Sequence, residues 1–283
     1  MMHEYILTLS CPDRMGIVHH VSGWLLTRHG NIIHSQQFGD PDTERFFLRI
    51  HFSLPVATGI DELAQDFAGV AERFSMQFQI HDKQRKARLL ILVSRQGHCL
   101  NDLLFRTQSG LLPVEVACVV SNHPDFQPLA QAHGVPFHHL PVTPETRAEQ
   151  ERRILELAER ENVDLVVLAR YMQILSQEMC RALAGRAINI HHSFLPSFKG
   201  ARPYYQAHER GVKIIGATAH YVTQDLDEGP IIEQDIERVD HSMDAQALTR
   251  IGSDVESLVL ARAVRWHVEH RILLNGARTV VFR

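Results

Sequence analysis

The spacing of apolar residues changes repeatedly over the first eighty positions. Tyr5-Ile6-Leu7-Thr8-Leu9 predicts a strand. The turn Cys11-Pro12-Asp13-Arg14-Met15-Gly16 follows, and Ile17, Val18, Val21, Leu25 and Leu26 then recur at helical spacing until Gly30. Residues 31–38 are strand-like, Gly39-Asp40-Pro41-Asp42 is a turn signal, and residues 46–52 alternate like a strand with one wet face. Ile60, Leu63, Phe67 and Val70 predict a helix over 58–74, and residues 76–80 alternate again. The order βαββαβ is that of a ferredoxin-like split βαβ unit. The charged, apolar-poor run His81-Asp82-Lys83-Gln84-Arg85-Lys86 reads as the exit from it, with residues 83–86 the linker.

From residue 87 the pattern becomes alternating strands and helices. Residues 88–93 form a continuous apolar run, as for a strand buried on both faces. A helix over 100–108, a strand over 114–120 and a helix over 126–133 ended by Gly134 come next. Thr143 reads as the cap of a helix with Pro144 at its first position, running to about residue 161 on Ile154, Leu157 and Ala158. Strands are expected at 164–169, 187–191, 216–222 and 231–238, and a long helix at 245–270. The fold class is therefore α/β. It comprises a ferredoxin-like domain over 1–82, then a doubly wound, mostly parallel sheet over 87–283.

Composition narrows the function classes. The 283 residues suffice for two domains, and 45% hydrophobic with 22% charged content is ordinary for a globular chain. A formal net charge of -4 offers no electrostatic footprint for nucleic acid or an anionic membrane. No run approaches the roughly 20 apolar residues of a membrane span. The start has an early acidic residue, Glu4, and no long apolar region, so a signal peptide is not expected. Cys11, Cys99, Cys118 and Cys180 are scattered and form no CxxC, so they read as reduced thiols of a cytoplasmic protein.

The chemistry gathers at strand ends. Asn189 and His191 are two apart on one strand, so both side chains share a face. His220 lies in the next strand, and Asp227 in the loop Gln224-Asp225-Leu226-Asp227-Glu228-Gly229-Pro230. An amide and a protonated imidazole can stabilise an oxyanion on a carbonyl under attack, and a tuned carboxylate can move a proton. Each has a plainer role open to it. Asn189 could satisfy a backbone group, His191 could be a hydrogen-bonded core histidine, and Asp227 could make an Asx turn. Adjacent His191 and His192 on a strand point to opposite faces, so no metal site is expected there.

Asn189-Ile190-His191, Ser193-Phe194-Leu195-Pro196-Ser197-Phe198-Lys199-Gly200, Gly216-Ala217-Thr218-Ala219-His220 and Asp225-Leu226-Asp227-Glu228-Gly229-Pro230 together resemble the formyltransferase fold. The family's catalytic Asn, His and Asp then fall on Asn189, His191 and Asp227, with His220 holding Asp227 or a water. The resemblance implies a pocket for the folate pteridine built from Met172, Gln173, Ile174 and Leu175 on one side. Val222, Gln224, Asp225 and Leu226 form the other. Partial burial and apolar neighbours such as Leu226 are expected to raise the Asp227 pKa.

The first 80 residues resemble an ACT domain, through the Asp-Arg-x-Gly-Ile turn and the Gly-Asn-Ile that opens the second strand. That resemblance implies a homo-oligomer, a dimer or tetramer, and a small amino-acid effector held between copies by Asp13, Gly16 and Asn31. Asp13 could equally be a helix cap and Gly16 a packing residue.

An ACT domain ahead of this fold, with His191-His192-Ser193, resembles the formyltetrahydrofolate deformylase family. The resemblance implies hydrolysis of 10-formyltetrahydrofolate, with no cofactor beyond that folate substrate. Ser94-Arg95-Gln96-Gly97-His98-Cys99-Leu100-Asn101 has one glycine where the ribonucleotide-formylating enzymes have a Gly-x-Gly-Ser-Asn phosphate turn. That favours water as acceptor and leaves an amine acceptor, or a non-catalytic folate sensor, as the alternatives. His192 either tunes His191 or packs.

Overall fold

A computed structural model describes residues 2–193 and 203–283. The motif residues Phe194-Leu195-Pro196-Ser197-Phe198-Lys199-Gly200 lie outside the described residues.

The chain divides into two compact units, Met1–Lys86 with Glu269–Arg283, and Ala87–Val268. The first has strands β1 (His3–Pro12), β2 (Asn31–Asp40), β3 (Arg45–Leu54) and β4 (Gln77–Asp82), with helices α1 (Ile17–Thr27) and α2 (Ile60–Phe74). The sheet is antiparallel, in the order β2-β3-β1-β4, the interleaved order of a split βαβ unit. Alternation explains the core. Tyr5, Leu7 and Leu9 of β1 pack with Leu48, Ile50 and Phe52 of β3, and with Leu63, Phe67 and Phe74 of α2.

A hairpin absent from the sequence reading, β12 (Ile272–Asn275) with β13 (Arg278–Val281), belongs to this first unit. The reading that runs the second domain to residue 283 therefore differs from the packing by fifteen residues at the C-terminus. Two polar groups explain the packing. Arg49, 3% exposed, donates to the carbonyls of Glu269 and His270, and Asp40 accepts from Asn275 Nδ2 at 2.6 Å. Buried charges need such partners, and the tail supplies both carbonyls to Arg49 and adds Asn275 to the bonds Asp40 receives from Asp42 and Thr43.

The second unit contains β5 (Ala87–Val93), α3 (His98–Gln108), β6 (Val114–Ser121), α4 (Gln127–Ala132), β7 (Phe137–His139), α5 (Arg147–Arg160), β8 (Leu165–Leu168), α6 (Gln177–Ala182), β9 (Ala187–His191), α7 (Pro203–Glu209), β10 (Ile214–Tyr221), β11 (Ile231–Arg238) and α8 (Ala245–Val268). The sheet order is β11-β10-β9-β8-β5-β6-β7. Strands β9 through β7 are parallel, β10 runs antiparallel to them, and β11, antiparallel to β10, runs in their direction again. Leu90 and Leu92 of β5 pack into one cluster with Ile154 and Met179, and the alternate residues Leu89 and Ile91 turn to the opposite face. Burying each such side chain is worth about 1.5–3 kcal/mol, an upper figure.

One predicted helix start is corrected. Residues 144–146 form a turn, Thr143 N–H donates to Thr146 Oγ1 at 2.9 Å, and α5 begins at Arg147. The Thr–Thr contact closes the chain into a turn before the helix opens, so Thr143 does not cap it.

Strand order reverses between β5 and β8, since β6 continues on one side and β8 on the other. That is the switch point where open α/β sheets bind ligands, at the carboxyl ends of the strands.

Candidate active site

A cavity of about 340 Å³ opens beside this switch point, over the carboxyl ends of β8 and β9. Asn189 and His191 reach it from β9, His220 from β10, and Asp227 from the loop after β10. Register explains the convergence. His220 pairs with Asn189 and Thr218 with His191 across β9 and β10. A bulge between Ala219 and His220 in the β10–β11 pairing re-aims the strand at that point.

The loop folds back onto β10. Tyr221 N–H donates to the Pro230 carbonyl at 3.0 Å, and Glu228 N–H to the Asp225 carbonyl at 3.3 Å. A Cβ on Gly229 would sit 1.7 Å from the Tyr221 carbonyl oxygen, so only glycine lets the two strands of backbone approach this closely. Asp227 takes φ +58°, a left-handed conformation costing a non-glycine residue about 1–2 kcal/mol.

Four polar groups then form one network. His191 Nδ1 lies 3.3 Å from Asp227 Oδ1, and His220 Nε2 lies 3.8 Å from the same oxygen. Asn189 Nδ2 lies 3.3 Å from His220 Nε2, and His220 Nδ1 donates to the Tyr221 carbonyl at 2.9 Å. Burial lowers the His220 pKa, which keeps that ring neutral. Its one proton is on Nδ1, so Nε2 accepts from the Asn189 amide. His220 thus bonds the amide, while its approach to Asp227 is longer than a hydrogen bond.

The Asp227 carboxyl sits below the ordinary carboxylate range, opposite to the direction the sequence suggests. Burial pushes it up, but the hydrogen bond from His191, then the electrostatic pull of that ring and, more weakly, of the His220 and His192 rings, more than offset that. Leu226, the neighbour expected to desolvate it, is 57% exposed.

Met172, Gln173, Ile174 and Leu175, in the loop after β8, line one wall of the cavity, and Val222, Gln224, Asp225 and Leu226 line another. Met172, Ile174 and Leu226 leave more than half their surface exposed, so the mouth is rimmed by apolar side chains. A flat heteroaromatic ring suits such a rim.

Several site residues escape sequence reasoning. Arg170, 7% exposed with φ +64°, donates from Nε to Gln96 Oε1 at 2.7 Å and from a terminal nitrogen to His192 Nδ1 at 2.7 Å. Its Nε also lies 3.3 Å from Glu256 Oε2. Glu256, 1% exposed on α8, is bonded by His98 Nε2 at 2.7 Å and Tyr204 OH at 2.6 Å. A single acid among Val255, Val259 and Leu260 was the available signal, because a charge on an apolar helix face requires a buried partner. His98, Cys99 and Glu256 offer three metal-type ligand atoms within 4.8 Å, but the Arg170 guanidinium beside Glu256 disfavours a cation there.

The His191–His192 geometry also differs from expectation. The rings stack, centroids 4.7 Å apart and 19° between planes, instead of pointing to opposite faces. The strand ends at His191, so period-two alternation no longer governs His192. Arg170 already occupies His192 Nδ1, which closes that nitrogen to a metal.

In the first unit the proposed effector residues are not brought together within one copy. A Cβ on Gly39 would sit 3.0 Å from Asp13 Oδ2, which places Asp13 at the Gly39 end of β2. Asn31 is at the other end of that strand, roughly 26 Å away at about 3.3 Å per residue. Gly16 takes φ +91° as the N-cap of α1, a conformation that favours glycine.

Residues 87–264 match the family described as formyl transferase, the class this sheet and its strand-end site define. A formyltetrahydrofolate deformylase of Corynebacterium sp. is 50% identical over 281 residues, covering 99% of this chain and 98% of its own. The crystal structure of formyltetrahydrofolate deformylase from Burkholderia mallei superposes with a TM-score of 0.94 at 53% identity, covering 99% of this chain and 100% of its own. The chain belongs to the formyltetrahydrofolate deformylase family. A glycinamide ribonucleotide transformylase from Symbiobacterium toebii covers 70% of this chain and 95% of its own, at 33% identity and a TM-score of 0.66.

Proposed function

We infer that this chain hydrolyses 10-formyltetrahydrofolate to tetrahydrofolate and formate, with water as the formyl acceptor. One observation carries the reading. Asn189, His191 and Asp227 meet at a single cavity in a chain half identical, end to end, to a deformylase. The folate is the substrate, and the chemistry calls for no further cofactor.

The ionised Asp227 accepts a proton from the attacking water, whose oxygen bonds to the formyl carbon. The Asn189 amide and the His191 ring, protonated at both nitrogens and donating from Nε2, stabilise the oxyanion that forms. Asp227 then returns the proton to N10, the carbon–N10 bond breaks, and formic acid leaves and ionises. His220 positions Asn189 through the bond to its amide. The pteridine rests between Met172–Leu175 and the 222–226 loop. The Ser94–Asn101 loop supports water over a phosphate-bearing amine. Gln96 and His98 are already bonded, and the buried Glu256 carboxylate behind them repels an anion.

The test is formate release from 10-formyltetrahydrofolate by the purified full chain without added amine, with Asp227→Asn as control. Release that disappears in the variant is expected. Release only on adding an amine overturns the reading.

We propose further that the first unit holds copies together in the cytoplasm and binds a small amino acid between them. Among the described residues β2 pairs only with β3, and Ile32, Ile33 and Phe38 on it are exposed. Antiparallel pairing of two such edges would set Asn31 of one copy beside the Asp13–Gly16 turn of the other. Sedimentation of Ile33→Lys should show a smaller assembly than the unsubstituted chain. An unchanged assembly overturns this.

A further inference from the structure

His192 is tied to the site by a contact the mechanism above does not use. His191 and His192 are both pinned through Nδ1, but by partners of opposite charge. A carboxylate only accepts, so Asp227 requires the proton on Nδ1 of His191. A guanidinium only donates, so Arg170 requires Nδ1 of His192 to be bare, and the one proton of the neutral ring is on Nε2. Both Nε2 atoms are buried with no hydrogen-bond partner among the described residues, and both residues line the cavity. Buried polar atoms are ordinarily satisfied, so two unsatisfied ring nitrogens on residues that line a cavity point to a ligand that completes them.

Arg170 cannot release His192 easily. Gln96 and Glu256 hold its Nε, and Glu256 is fixed in turn by His98 and Tyr204. Gly252 makes room for the Tyr204 ring, since a Cβ there would meet Cζ at 2.1 Å. Burial, then the charges of Arg170 and His191, hold the His192 pKa at about 4. The ring therefore keeps a single proton throughout the neutral range.

We propose that His192 is a further catalytic residue, which donates its Nε2–H to the formyl oxygen alongside Asn189 and His191. The inference rests on the hydrolase reading above. The polarity of the site decides the ligand. A donor bonded to the attacking water would withdraw the lone pair needed for attack, whereas a donor at the formyl oxygen strengthens as charge develops there. Arg170 and Glu256 are positioning residues that keep the proton on the nitrogen facing the substrate.

Two measurements on the full chain test this. His192→Phe preserves a ring against His191 and removes the N–H. kcat is expected to fall about 100-fold with KM for the folate nearly unchanged, and His192→Gln, which restores an N–H, to recover part of the loss. Nitrogen-15 NMR of histidine-labelled wild-type protein reads the tautomer without turnover, and the His192 resonances should report Nε2–H at pH 7. His192→Phe turning over within threefold of wild type, or His192 protonated on Nδ1, overturns the proposal. Wild-type protein that releases no formate sinks the hydrolase reading instead, and the NMR result still decides the tautomer.

Discussion

Asn189 and His220 are register partners across β9 and β10, with Asn189 Nδ2 3.3 Å from His220 Nε2. Because Tyr221 takes the His220 Nδ1 proton, Nε2 can only accept, and this sets which end of the Asn189 amide faces it. One amide N–H is spent on His220, and the other is left for the substrate. His220→Ala should cost about 1–3 kcal/mol of transition-state stabilisation, roughly 5- to 150-fold in kcat, with little change in KM. The double variant with Asn189→Ala should be no slower than Asn189→Ala alone, which steady-state formate assays check.

Asp227→Asn should lower kcat by about 10²–10⁴-fold, the usual worth of a positioned proton-transfer group. His191 holds the wild-type carboxyl below its ordinary range, so Asp227 stays ionised at every pH where the protein is assayed near neutrality. The pH profile of kcat/KM should therefore show no acid limb near pH 6 owing to Asp227. An acid midpoint near 6 that shifts in Asp227→Glu would contradict this.

Two glycine substitutions should move stability in opposite directions. Gly229→Ala places a methyl group 1.7 Å from the Tyr221 carbonyl oxygen, so it should destabilise by about 1–3 kcal/mol and raise KM as the loop lifts. Gly69→Ala lies inside α2 with nothing within 4 Å of the new methyl, so it should stabilise by about 0.5–1 kcal/mol. Urea midpoints measured side by side check both signs.

His81 gives the first unit a defined pH dependence. Burial, then the charges of Arg85 and Arg49, lower its pKa from 6.5 to about 4. Between those values the unfolded chain binds the proton and the folded one does not, so stability falls as pH drops from 6.5 towards 4 and this contribution levels off below. His81 stacks on His270 with ring centroids 3.5 Å apart, so His81→Phe keeps a ring in place and removes the titration. The difference in urea midpoint between pH 7 and pH 5 should be smaller in that variant.

What was legible in the sequence follows from how local each signal is. β5 and β8 are seen because strands buried on both faces are unbroken apolar runs. Asn189 and His191 are seen because a spacing of two on a strand is geometry. β7 has three residues and α6 has six, too short for any period to repeat. Arg170 and Glu256 are 86 positions apart, and only the folded sheet makes them neighbours. The direction of the Asp227 shift was missed for the same reason, because a nearby leucine is visible in the chain while a hydrogen bond from another strand is not.

The hairpin of Ile272–Asn275 and Arg278–Val281 has a consequence for the order of assembly. It packs in a unit whose other strands are made first, with 182 residues of the second unit translated in between. Domains commonly fold as they emerge from the ribosome, N-terminal part first. Here a unit begun before the second one waits for a segment made after it. Until residues 269–283 clear the exit tunnel, Arg49 lacks the carbonyls of Glu269 and His270 and Asp40 lacks Asn275. The nascent chain carries an unfinished first unit for as long as the second is being made.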